Sequence, residues 1–225
     1  MKNKNIRYKK LIIFDMDGTL YSFKEGSFAK SKLKKEILKN ALIYIKEHLS
    51  KSNTEAIYIM KQINKKYGEN ISLALEKEYG IDRYDYFNKV WNISAKKFIN
   101  KNSSLRDLLL KINGNYDYIL VSDAPRIWVN NVLEELEIYD LFEGKIYSGE
   151  GNQRKSFGNF FQYVADKLGY DAINCIVIGD QENTDIIPAK KNGMNAILIM
   201  DRAKFTQADF VLNNILDLKN ILSSS

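Results

Sequence analysis

Carboxylates, a serine hydroxyl and a lysine stand where short apolar runs end or a helical stretch begins, and together these groups can move a phosphoryl group. Asp15 and Asp17 follow the apolar run Leu11 to Phe14 and lead into Gly18 and Thr19. Ser122, followed by Asp123, ends a run that starts at Tyr118. Asp180 follows Gly179 at the end of the run from Asn174, with Asp185 five residues on. Lys155 precedes a helical pattern. Clustered carboxylates repel one another unless a cation sits among them. Oxygen ligands of this kind suit Mg²⁺, which takes a few carboxylates, keeps waters and binds substrate phosphate. A carboxylate can act as the nucleophile, and a second one can protonate the leaving oxygen and then activate water. Side chains two residues apart on a strand share a side, so Asp15 and Asp17 can both face one substrate. The lysine and serine supply charge and a hydrogen bond to phosphoryl oxygens.

Such a group needs a scaffold that brings strand ends to one rim. Lys10 to Asp15 reads as a fully buried strand running into a DGT turn. From about Lys30 to Asn100, apolar residues recur at helical spacing, first Leu33, Ile37, Ala41, Ile45 and Leu49, then Ile57, Met60, Ile63 and Tyr67. With no proline and no strand pattern there, four or five helices are expected. After Ser103 strands alternate with helices. Strands are predicted over Tyr118–Ser122, Lys145–Tyr147, Asn174–Ile178, Asn195–Met200 and Phe210–Leu212. Helices are predicted over Ser104–Ile112, Pro125–Leu136, Phe157–Leu168 and Ile186–Lys191, with a last one ending near Leu222. That alternation predicts an α/β fold, a Rossmann-like parallel sheet core with an inserted all-helical cap domain. Ligands of such sheets bind outside the carboxyl ends of the strands.

Composition narrows the classes. The 225 residues are 45% hydrophobic and 28% charged, the balance of a globular protein. No run approaches the ~20 apolar residues of a membrane span, and Leu11 to Phe14 is too short for a signal-peptide core. One cysteine, Cys175, and one histidine, His48, exclude a disulfide framework and a Cys- or His-rich metal site. Cys175 reads as an inert core thiol and His48 as a helix-surface residue. The net charge of +6 comes from dispersed lysines, densest over Lys30 to Lys39, and reads as a solvated face. No nucleic-acid polymer, no membrane and a cytoplasmic location are expected.

FDMDGTL (Phe14–Leu20) resembles the first motif, DxDGT, of the haloacid dehalogenase-like (HAD) superfamily. Three more motifs follow in that family's order: Ser122 in LVSDA, Lys155 before a helix ending in LG, and Asp180 with Asp185 in IGDQENTD, followed by the turn Asn192–Met194. The resemblance implies a role for each. Asp15 would be nucleophile and metal ligand. Asp17 would be general acid/base and bind the metal through its backbone carbonyl. Ser122, Lys155, Gly18 and Thr19 would hold the phosphoryl group. Asp180 would ligate Mg²⁺, and Asp185 would do so through water or orient Lys155. Three positions depart from the common pattern: Asp123 after Ser122, Arg154-Lys155-Ser156 in place of Lys-Pro, and Gln181 after Asp180. Either Lys155 or Arg154 can enter the site on this reading.

The resemblance also implies organisation: residues 1–22 and 102–225 as the catalytic core, 23–101 as the cap. KKYGENISLALEKEYGID (Lys65–Asp82) followed by Tyr86 and Phe87 is similar to caps of pyrimidine 5'-nucleotidase-like members. The implied activity is Mg²⁺-dependent hydrolysis of a small phosphomonoester through an aspartyl-phosphate, with a nucleoside 5'-monophosphate the first candidate and a phosphoglycolate-like ester the next. The implied partner is a small phosphorylated metabolite, on a monomer or homodimer. A phosphosugar mutase and a non-catalytic binding protein on the same fold are the alternatives. A dehalogenase has no need of the acid Asp17 provides.

Overall fold

The computed structural model describes residues 9–23, 25–99, 103–151, 154–155, 159–201 and 205–222. Six strands, β1 (Lys10–Phe14), β2 (Tyr116–Ser122), β3 (Ile146–Ser148), β4 (Cys175–Gly179), β5 (Asn195–Ile199) and β6 (Phe210–Leu212), form one sheet. Their order is β3-β2-β1-β4-β5-β6, and every neighbouring pair is parallel. The expected α/β sheet is therefore present. The order reverses direction at β1, so the crevice between the ends of β1 and β4 is where a ligand is expected.

Alternation along the strands builds two apolar faces. Leu11 and Ile13 of β1 and Ile119 and Val121 of β2 pack with Val177, Leu198 and helix α8 (Phe160–Leu168). Ile12 and Phe14 face the other way, toward helices α5 (Ser103–Asn115) and α6 (Arg126–Glu135). A strand buried on both faces needs the unbroken apolar run seen at Leu11 to Phe14.

Between β1 and α5 lie four helices, α1 (Lys32–His48), α2 (Asn53–Tyr67), α3 (Ile71–Tyr79) and α4 (Arg83–Val90), plus short 3₁₀ turns at Phe28–Lys30 and Ala95–Lys97. Their ends follow local chemistry. Ser31 caps α1 by accepting from Lys34 N–H, and Ser52 with Glu55 forms a capping box at α2. Helix α1 packs against α2 and α4, and α3 bridges the same two. Their apolar residues, Leu33, Ile37, Ile45, Leu75 and Val90 among them, join the cluster on the α5/α6 side of the sheet.

The remaining short helices are α7 (Tyr139–Phe142), α9 (Ile187–Lys191) and α10 (Leu218–Leu222). Several expected boundaries shift. Helix α5 runs through Gly114 to Asn115, and β2 starts at Tyr116, where Lys10 gives it a partner. Pro125 is the N-cap of α6 rather than part of its first turn; its extended ψ of 153° leaves its carbonyl to accept from Trp128 and Val129. The predicted start of α8 at Phe157 lies outside the described residues. The stretch before α9 makes a π-helical turn, Glu182–Ile186. Among the described residues, no helix is long and apolar enough to cross a membrane.

Candidate active site

β1 delivers Asp15 to the sheet's edge, where its backbone N–H donates to the Ile178 carbonyl of β4 at 2.8 Å. Both carboxylate oxygens of Asp15 are engaged. Lys155 Nζ donates to Oδ1 at 2.5 Å, and the Thr19 hydroxyl donates to Oδ2 at 2.9 Å. Thr19 thus sits under Asp15, and its own side chain is buried.

Lys155, not Arg154, enters this centre. It is 4% exposed and also donates to Asp185 Oδ1 at 2.8 Å. Burial alone would lower its pKa, but the charges of Asp15, Asp185 and Asp123 outweigh that and hold the ammonium well above its usual value. Asp123 acts by positioning. Its Oδ1 accepts from the Lys155 backbone N–H at 2.9 Å, which fixes where the lysine leaves the chain. Ser122 is buried beside them, and its Oγ accepts from Ala124 N–H at 3.1 Å, so its own hydroxyl proton remains to be donated.

The π-helical turn buries Asp185 completely. Its Oδ2 accepts from Gln181 N–H at 3.0 Å. π-bulges recur where a helix must aim a functional side chain. Gly179 permits this approach: a Cβ there would lie 2.3 Å from the Asp185 carboxyl carbon. Gly18 does the same for Asp180. Its φ is +94°, and a Cβ would meet Asp180 Oδ2 at 2.2 Å. Only glycine meets both the conformation and the contact.

Asp15, Asp180 and Asp185 each offer an oxygen within 4.8 Å of the others, and Asp180 Oδ1 is buried with no hydrogen-bond partner. Burial, then the negative charges of Asp15 and Asp185, push Asp180 up to about 8. Burial likewise raises Asp185 to about 6. One lysine cannot neutralise this set, and an orphaned buried carboxylate oxygen is costly. The donor set, oxygen only and acidic, fits a hard divalent cation such as Mg²⁺.

Asp17, partly buried, lines the cavity beside Asp15. Its Oδ1 accepts from Trp128 Nε1 at 2.9 Å and from the Tyr21 hydroxyl. Burial lifts its pKa to about 6, against these two hydrogen bonds, which lower it. Neither contact was legible in the sequence. Tyr21 reads as core, and Trp128 carries no motif; it lies three residues after Pro125 on a helix that follows Ser122, the one hint that α6 begins at the site.

A cavity of about 990 Å³ opens onto these residues. Asp15, Asp17, Ser122 and Lys155 form its floor, and Ile37, Leu42 and Met60 of α1 and α2 are in its opposite wall. Of the insert's aromatics, Tyr86 and Phe87 are buried and line the cavity with Trp91 and Phe28, while Tyr84 is 52% exposed and outside the lining. His48 lies apart, stacked on Tyr44 at 3.9 Å with Nε2 3.1 Å from Asp85. Cys175 is buried in β4, and burial pushes its thiol up to about 12.

A family model described as haloacid dehalogenase-like hydrolase matches residues 9–193. The glyceraldehyde 3-phosphate phosphatase of Methanothermobacter thermautotrophicus is 25% identical over 221 residues, covering 93% of each chain. Among solved structures, an HAD phosphatase from Thermococcus onnurineus superposes with a TM-score of 0.65 at 21% identity, covering 95% of this chain and 97% of that one. A 2-haloacid dehalogenase from Pseudomonas syringae gives 0.63 at 16% identity, covering 96% and 99%. Two such chemistries on one architecture mean that the fold does not choose the reaction; the side chains do.

Proposed function

This chain belongs to the haloacid dehalogenase-like hydrolases, and we propose that it is a Mg²⁺-dependent phosphatase that hydrolyses a small phosphomonoester through an aspartyl-phosphate on Asp15. The observation that carries this reading is the pair Asp15 and Asp17 on the floor of one cavity with Lys155 at 2.5 Å from Asp15. A catalyst that breaks a carbon–halogen bond needs the nucleophile but not a proton donor for an alkoxide. A binding module needs neither.

In this mechanism a carboxylate oxygen of Asp15 attacks phosphorus. The ester P–O bond breaks, and the leaving oxygen takes the proton from Asp17. Asp17 then removes a proton from water, and the water oxygen attacks the phosphorus of the acyl phosphate. The bond from phosphorus to Asp15 breaks, giving inorganic phosphate and the free carboxylate. Lys155 and the Ser122 hydroxyl bind the phosphoryl oxygens throughout. Thr19 holds Asp15, and Trp128 and Tyr21 hold Asp17, so each carboxylate keeps its angle to the substrate. Asp15, Asp180 and the Asp17 carbonyl would hold Mg²⁺, which supplies positive charge where a carboxylate must approach a phosphate dianion. Asp185, already bonded to Lys155 and Gln181 N–H, orients the lysine.

Residues 1–22 and 102–225 form the catalytic core in this reading, and 23–101 the cap; residues 1–8, 24, 100–102, 152–153, 156–158, 202–204 and 223–225 are outside the described set. The mutual packing of α1 to α4 supports that division. Polar bridges then join insert to core: Arg83 Nη1 donates to the Glu150 carbonyl at 3.2 Å and Asn131 Nδ2 to the Ile93 carbonyl at 3.0 Å. The cap would exclude water and contact the leaving group.

The test is turnover of p-nitrophenyl phosphate with Mg²⁺, followed by a panel of nucleoside monophosphates, sugar phosphates and phosphoglycolate. Release of inorganic phosphate is the expected result. Isomerised phosphosugar without net phosphate release would instead mark a mutase, and binding without turnover a regulatory module.

A further inference from the structure

Arg154 stands next to Lys155 in the chain and lines the same cavity, yet the phosphoryl chemistry gives it no role. Its Nη1 donates to Asn70 Oδ1, a neutral acceptor just before α3, at 2.9 Å. Arg83 and Arg106 pair with the carboxylates of Glu76 and Asp140. Arg154 makes no ion pair among the described residues, although it is half-buried. Burial pulls its pKa down, the Asp123 charge opposes that, and Arg83 adds repulsion.

A guanidinium carries five N–H donors in a planar fork. Among the described residues only Asn70 fills part of this fork, on the wall of a cavity whose floor already provides Lys155 and Ser122 for the phosphoryl group. A partly desolvated cation in that state gains most from a planar anion that accepts two parallel hydrogen bonds, and a carboxylate is that anion. The charge of the surroundings agrees. Residues 28–99 hold 15 Lys+Arg against 8 Asp+Glu, a net +7 against the whole chain's +6; Lys34, Lys39 and Lys61 line the cavity with Glu69 and Asp123, Lys34 being paired with Glu69 and Lys39 with Glu36.

We propose that Arg154 determines substrate specificity by binding a carboxylate on the leaving group, so that the substrates are phosphomonoesters bearing a carboxylate, of the phosphoglycolate and phosphoglycerate class. This rests on the phosphatase reading. Of the two substrate types expected from the sequence, it selects the phosphoglycolate-like one over the nucleotide.

The test compares 3-phosphoglycerate with glycerol 3-phosphate, which differ in a carboxylate against a hydroxymethyl group, on the full-length protein with Mg²⁺. The wild-type kcat/KM ratio is expected to favour the acid by about tenfold or more. Arg154→Gln should lower that ratio at least about tenfold, chiefly through KM, and Arg154→Lys, which keeps the charge but loses the fork, should restore part of it. A wild-type ratio near one overturns the proposal. So does an equal loss on both esters in Arg154→Gln, which would make Arg154 a strut to Asn70. If Arg154→Gln fails to fold, Arg154→Lys decides by the same ratio. Hydrolysis of p-nitrophenyl phosphate by the wild type tests the phosphatase reading separately. Its absence, with every other ester inert, overturns that reading and this inference together, while turnover with a flat ratio overturns this inference alone.

Discussion

Trp128 donates its indole N–H to Asp17 Oδ1 at 2.9 Å while its ring meets Phe98 edge-on at 6.4 Å. One fully buried side chain therefore touches both Asp17, the proposed general acid, and the segment through which the helical insert returns to the core. Trp128→Phe removes the N–H and keeps most of the packing. It should lower kcat on p-nitrophenyl phosphate by roughly tenfold, with a stability loss of about 1 kcal/mol. Tyr21→Phe should act in the same direction, and the double variant should show more than either. Denaturant melts with steady-state kinetics check this, and an unchanged kcat in both single variants would refute the orienting role.

Asp15→Asn tests the nucleophile. The amide keeps the shape, and Thr19 and Lys155 keep neighbours of similar size. Circular dichroism should match the wild type while turnover falls by roughly 10³-fold or more, the scale seen when a catalytic nucleophile is removed. Near-native turnover, in protein shown by mass spectrometry to be free of deamidation, would refute the aspartyl-phosphate.

Metal and stability should trade against each other at Asp180. Its Oδ1 has no partner, and neighbouring carboxylates repel it. Above about pH 8, where Asp180 is ionised, Asp180→Asn should raise the metal-free Tm, because it removes an uncompensated buried charge. The same change should abolish the rise in Tm that Mg²⁺ gives the wild type, which at 100 times Kd is worth about 2.7 kcal/mol. EDTA should remove activity and Mg²⁺ restore it, while Ca²⁺, which prefers more ligands, should not. Thermal melts with and without Mg²⁺ read both effects, and a Mg²⁺ shift retained by the variant would remove Asp180 from the ligand set.

Gly18→Ala should be severe for a short side chain. The left-handed φ of +94° and the 2.2 Å approach to Asp180 both oppose a methyl group. The cost is on the order of 1–3 kcal/mol, with loss of the Mg²⁺-dependent Tm shift because Asp180 must move. A variant as stable as the wild type and still responsive to Mg²⁺ would contradict the packing described.

Cavity-wall residues of the insert should sort substrates. Trp91→Ala and Met60→Ala should change relative kcat/KM among physiological phosphoesters by about tenfold, and change p-nitrophenyl phosphate turnover less. Uniform losses on all substrates would argue against a cap that selects them.

The order of residues by itself determines much of this protein, for local reasons. Leu11 to Phe14 can satisfy its unbroken apolar character only as a central strand, so the chain must turn at its end, and Asp15, Gly18 and Thr19 mark that turn. Helical periodicity marks the stretch that becomes α1 to α4, though not where each helix begins or ends. Asp15, Asp17, Lys155, Asp180 and Asp185 were legible because each stands beside such an element boundary. Other features depend on contacts between segments far apart in sequence. The indole of Trp128 meets Asp17 across 111 positions, and nothing along α6 distinguishes it from a core tryptophan. The choice of Lys155 over Arg154 follows from Asp123, whose carboxylate grips the lysine's backbone N–H from 32 positions away. The π-helical turn that buries Asp185 depends on Gly179 leaving room beneath it. Periodicity and local propensity act over a few residues, whereas hydrogen bonds and close approaches at a sheet's edge exist only once the strands have been laid side by side.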